Sequence, residues 1–164
     1  MKQRRWQRGL TKFEFSVALA VMGVMAAIAL QRYIELQELA EKAQVEATLR
    51  NIQSGLAQEM ARRIIAGQDG QVDDMVGSNP VRWLARPPEG YLGESAAEAE
   101  LPAGAWMFDQ ERKELRYQPN FSRNLYVEGG TKSLRWQVRR PKMNEPRPFL
   151  SPVGVMAVVP YQWY

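Results

Sequence analysis

Sixteen consecutive residues, Phe15 to Leu30, carry no charge and a single hydroxyl, that of Ser16. Nothing else in the chain restricts its fold as strongly. Sixteen residues are short for a spanning helix, but counting from Leu10 gives 21 residues, about 31 Å at the helical rise, enough for a hydrocarbon core. Ahead of the run stand Lys2, Arg4, Arg5 and Arg8. Positive flanks stay on the cytoplasmic side, so the N-terminus is expected in the cytoplasm and everything after Leu30 across the membrane. These four cations also explain the basic pI near 9.5: without them Lys and Arg equal Asp and Glu in number. The basic balance therefore belongs to an address label and not to a binding surface.

Two processing routes fit the segment. In one it is a secretory signal, with Phe15 to Ala26 as its apolar region and a cut after Ala29 in the small-x-small sequence Ala27-Ile28-Ala29. The product would be a secreted globular binding protein. Against this stand the carboxylate of Glu14 and a helical pattern that continues in phase past Leu30. In the other route the cut precedes the apolar helix, which stays on the protein.

The second route rests on Gly9-Leu10-Thr11-Lys12-Phe13-Glu14-Phe15, continued by Gly23, Ala26-Ala27-Ile28-Ala29 and Tyr33. These residues resemble the class III signal of the type IV pilin and pseudopilin family. The resemblance implies cleavage by prepilin peptidase between Gly9 and Leu10, with methylation of the Leu10 amine. It further implies helix packing through Phe13, Gly23 and Tyr33. Partners would be other pilin or pseudopilin subunits, an inner-membrane assembly platform and the lipid bilayer. A carboxylate in the middle of a membrane helix costs roughly 2.5–3.5 kcal/mol and less near the end, so Glu14 is a functional candidate. The family supplies its partner, the Leu10 amine of the adjacent subunit, which would set register. Two residues depart from the family pattern. Lys12 stands where an apolar residue is usual, and could pair with Glu14 or snorkel. Gln31 stands where major pilins usually carry a helix-kinking Pro. Both suit a minor pilin or pseudopilin.

Residues 32–66 keep the helical period. Val45, Leu49, Ile52, Leu56, Met60 and Ile64 form one apolar stripe, and Tyr33, Leu36, Ala40, Ala43 and Ala47 a second. The first needs a cover, most simply a sheet built from the rest of the chain. The second could be core or subunit contact. Gly67 marks the helix stop. Residues 67–104 form a loop with seven acids against two bases, broken by Pro80, Pro87, Pro88 and Pro102. Within it Asn79-Pro80-Val81-Arg82-Trp83-Leu84, Pro87-Pro88 and Tyr91-Leu92-Gly93-Glu94 resemble a loop of pilin-like proteins of the MSHA-type group. Trp83, Leu84 and Tyr91 are expected to seal the loop onto the helix.

Residues 105–164 read as antiparallel strands. One hairpin joins Ala105–Asp109 to Glu114–Tyr117, and a second is expected to join 124–128 to 133–139 around Gly129-Gly130, with Leu134, Trp136 and Val138 on one face. A last strand covers Val153–Val159, and the aromatic tail from Tyr161 is expected to fold back on the sheet. The fold class is thus α+β and pilin-like, in five parts: leader 1–9, transmembrane half-helix 10–31, amphipathic half-helix 32–66, loop 67–104, sheet and tail 105–164.

The chain contains no Cys and no His, which removes thiol chemistry, disulfides, Ser-His triads and the usual zinc sites. No phosphate loop or nucleophile elbow occurs, so no catalysis and no cofactor are expected. Asp69, Asp73 and Asp74 are similar to a pseudopilin calcium loop but lie beside the helix end, so no metal is expected. Arg135, Arg139, Arg140, Lys142 and Arg147 with Trp136 and Phe149 could form a nucleic-acid patch, as in DNA-uptake minor pilins. Five bases in an otherwise neutral chain make nucleic acid an unexpected partner. An adhesive role is the other minor-pilin alternative.

Overall fold

The computed structural model describes residues 11–96, 100–141 and 152–164. The chain divides after Gln37 into two units. The helix α1, Lys12–Ile65, supplies the first unit and the opening element of the second. The helix runs unbroken through Gln31, as the absence of Pro there leads one to expect.

The second unit begins at Glu38. Val45, Ile52, Leu56 and Met60 are buried, with Leu49 packed against them, so the first stripe is core as expected. Ile64 is the exception and lies exposed, because the helix stops one residue later. The stop is a Schellman motif. Gly67, at φ 70°, donates its N–H to Ile64 O at 3.0 Å, and Gln68 donates to Arg63 O at 2.9 Å.

Two short 3-10 turns follow, Asp69–Met75 and Pro80–Trp83, then strand β1, Tyr91–Ser95. Asn79 is buried and organises this stretch. Its Oδ1 accepts from Val81 N, while Nδ2 donates to Tyr91 Oη at 2.7 Å and Glu94 Oε1 at 2.8 Å. Trp83 and Leu84 pack on the core, as expected of seals. Trp83 comes so close to the helix that a Cβ on Gly55 would stand 2.2 Å from its carbonyl oxygen.

Strands β2 (Trp106–Asp109), β3 (Glu114–Tyr117), β4 (Leu125–Val127), β5 (Leu134–Arg139), β6 (Gly154–Ala157) and β7 (Tyr161–Trp163) complete the unit. One sheet has the order β1-β2-β3-β5-β6 and a small second sheet pairs β4 with β7. The first hairpin forms as expected, with Asp109 opposite Glu114. Two expectations are corrected. The sheet is mixed, because β1 from the 67–104 stretch lies parallel to β2 at its edge. The second hairpin does not form. Gly129 and Gly130, at φ 91° and 79°, do make a turn closed by Gly130 N to Val127 O, but β4 then pairs with β7 and β5 with β3. The exposed edge of β3 gives β5 a partner that leaves Leu134, Trp136 and Val138 buried. The three-residue β4 is too short to hold a six-residue strand. The tail folds back as β7, and Trp163 is buried.

The inner face of the sheet is aromatic. Trp106 meets Tyr117 at a tilt of 34° with centroids 4.4 Å apart and stacks on Trp136 at 5.6 Å, and Tyr161 meets Trp136 edge-on at 5.9 Å. The result is the α+β arrangement expected from the sequence, in which a long helix packs with a small sheet of mainly antiparallel strands.

Candidate functional site

The first unit is a helix end with an apolar surface. Its start is a capping box: Thr11 Oγ1 accepts from Glu14 N at 3.3 Å, and Glu14 Oε2 accepts from Thr11 N at 2.8 Å and Thr11 Oγ1 at 2.9 Å. Among the described residues Lys12 makes no ion pair with Glu14, which is held by Thr11 instead. From Phe13 to Leu30 the large side chains stand exposed, Phe13 at 78% and Met22 at 66%. This segment is long and apolar enough to cross a membrane. The charged pair Arg32–Glu35, at 2.9 Å, follows immediately after it.

Gly9 and Leu10 lie outside the described residues. Glu14, Phe13, Gly23 and Tyr33 are all exposed on the helix surface, and Glu14 is held by the cap from Thr11. Phe13, Gly23 and Tyr33 are ten residues apart, which rotates each from the last by about 80°. They therefore do not share one face. Most of the second stripe lies outside the core: Tyr33, Leu36, Ala40 and Ala43 are exposed, and Ala47 is half-buried.

Two buried carboxylates escaped the sequence reading. Glu38 and Glu41 are buried, at 1% and 7% exposure, where the helix meets the sheet-bearing unit's loops. Glu41 Oε1 accepts from Tyr117 Oη at 2.6 Å, Asn120 N at 2.7 Å and Asn120 Nδ2 at 3.2 Å, and Oε2 from Phe121 N at 2.9 Å. Glu38 Oε1 accepts from Asn124 N at 2.8 Å and Trp163 Nε1 at 3.1 Å, and Oε2 from Asn124 Nδ2 at 3.1 Å. Every one of these donors is neutral, so hydrogen bonds rather than an ion pair offset desolvation of the carboxylates. Burial and the neighbouring Glu41 carboxylate push the Tyr117 hydroxyl far above its ordinary value. A signal for both glutamates was present. Glu38, Glu41, Val45, Leu49, Ile52, Leu56 and Met60 step by three, four, four, three, four and four, so the carboxylates continue the core stripe in phase.

The other candidates disperse. Trp136 is buried in the core and cannot stack on a base, while Arg135 faces Glu114 at 3.6 Å and Arg140 pairs with Asp73. Lys142, Arg147 and Phe149 lie outside the described residues. No cluster of three or more potential metal ligands occurs among the described residues. Comparison of the chain with known protein families, curated proteins and solved structures finds no match.

Proposed function

We infer that the chain is a structural subunit of a type IV pilus or type II secretion-like filament, a minor pilin or pseudopilin. The observation that carries this reading is the pairing of two surfaces on one helix. Up to Leu30 it presents exposed apolar side chains, while from Val45 it is amphipathic and buried under a sheet. Apolar side chains covering that much helix need lipid or other helices around them. A single-pass protein with a cytoplasmic N-terminus satisfies the need before assembly, and a bundle of apolar helices from neighbouring pilin or pseudopilin subunits satisfies it afterwards.

Each residue then has a role within this proposal. Prepilin peptidase cuts after Gly9 and exposes the Leu10 amine. Glu14 meets that amine on the neighbouring subunit, and its cap on Thr11 holds the carboxylate at the helix end where the contact forms. Open space around Gly23 lets another helix approach closely. The subunit acts by assembling, without catalysis. The test is the N-terminal mass and sequence of the mature protein, made with and without prepilin peptidase. A peptidase-dependent start at methylated Leu10 supports the filament subunit. A start at Leu30 overturns it and leaves a secreted binding protein.

A further inference from the structure

The outer face of the large sheet carries a charged recess of about 170 Å³, lined by Arg112, Glu114, Arg116, Thr131, Ser133 and Arg135. Arg116 and Arg135 are direct cross-strand neighbours, a like-charge pairing that destabilises a sheet unless something anionic joins it. Among the described residues Asp109 and Glu114 do so at long range. Asp109 Oδ2 is 3.2 Å from Arg112 Nη1 but 3.9 Å from Arg116 Nη1, and Glu114 Oε2 is 3.6 Å from Arg135 Nη1. Arg116 Nε and Nη1 are buried with no hydrogen-bond partner among the described residues. The same holds for Glu114 Oε2, on a side chain nine-tenths buried. Buried groups in this condition cost about 1–3 kcal/mol each, more when charged, so folded chains rarely leave them so.

The unmet needs are complementary. Arg116 requires acceptors, and with Arg135 directly across the strand a negatively charged acceptor suits both guanidinium groups. Glu114 Oε2 requires a donor, which a ligand hydroxyl supplies, and Thr131 and Ser133 add hydroxyls at the rim. We propose that this recess is a binding site for a hydroxylated organic anion of sugar-acid type, its acid group on Arg116 and Arg135 and a hydroxyl donating to Glu114. The site is separate from the apolar helix and does not rest on the filament assignment.

The test uses the full chain in detergent micelles, titrated with glucuronate, acetate and glucose and followed by calorimetry. Glucuronate is expected to bind more tightly than acetate, which lacks the hydroxyls, and than glucose, which lacks the charge. Arg116→Gln is expected to weaken glucuronate at least about tenfold, the value of one charged hydrogen bond. Arg135→Gln serves as a second variant, and unchanged circular dichroism shows that each is folded. Equal binding of the three probes, no binding, or full binding by folded Arg116→Gln overturns the proposal. So does a loss of self-association in Arg116→Gln without any saccharide effect, which would assign the recess to an acidic side chain of a second copy.

Discussion

Replacing Glu41 by Leu is the sharpest probe of how the helix holds the rest of its unit. The carboxylate accepts four hydrogen bonds, all between 2.6 and 3.2 Å, from Tyr117, Asn120 and Phe121. Leu keeps roughly the volume and removes every acceptor. Buried donors left unpaired cost about 1–3 kcal/mol each, and relaxation lets some find water, so a loss of about 3–5 kcal/mol is expected. For a unit of this size that lowers the melting temperature by roughly 10–20 °C. Tyr117→Phe removes one donor and leaves the carboxylate three bonds, so it should cost only about 1 kcal/mol. Thermal and urea melts of both single variants and the double form a cycle in which the double variant is less damaged than the sum. A Glu41→Leu protein that melts within about 1 kcal/mol of the parent would refute the reasoning, because the carboxylate would then contribute no more than a buried methyl group.

Gly55→Ala should destabilise by about 1–3 kcal/mol, where helix propensity alone favours Ala by about 1, since the new methyl meets the Trp83 carbonyl; a higher urea midpoint would contradict the close approach. Acid should weaken the fold. Glu59 is lowered from 4.5 to about 2 by Arg62 and then Arg63, and Glu94 is lowered chiefly by Asn79 and Gln110. Depressed folded values mean that this stability is complete above about pH 4.5 and drains as pH falls towards 2, so urea midpoints should drop across that window and Glu59→Gln should flatten the drop. At the alkaline end the sign reverses. The Tyr117 hydroxyl is raised above its ordinary 10.0, so its contribution is present below pH 10 and fades as pH rises towards the folded value. Absorbance titration should show Tyr117 ionising only with unfolding, an effect that Tyr117→Phe abolishes.

Local periodicity made much of this unit legible before any coordinates. The core stripe from Val45 to Met60, the hairpin around Gln110–Lys113 and the buried face of β5 all follow from repeats of 3.6 or 2 within one segment. What failed involved choices between distant partners. Gly129-Gly130 does form a turn, yet a turn does not decide which strand edge the following residues join, and β3 lies further back in the chain. The parallel edge β1 was hidden because Tyr91–Ser95 sits among prolines and acids, and its partner is chosen by contact with Trp106 and Phe108. Glu38 and Glu41 were missed for another reason. A charge-bearing residue in a core phase reads as an interruption of the stripe unless its neutral donors, 76 to 125 residues downstream, are already known.

That separation has a consequence for how the protein is made. At roughly 5–20 residues per second, the ribosome releases Trp163 about 6–25 s after Glu38. The donors to Glu41 are complete once Phe121 is made, and Glu38 gains Asn124 soon after, but its last donor, Trp163, comes only at the end of the interval. Local helix formation, complete within about a microsecond, cannot shorten the wait. The clamp on Glu38 is thus closed in two stages: Asn124 engages it first, and only a chain translated through β7 adds the indole that completes and covers it.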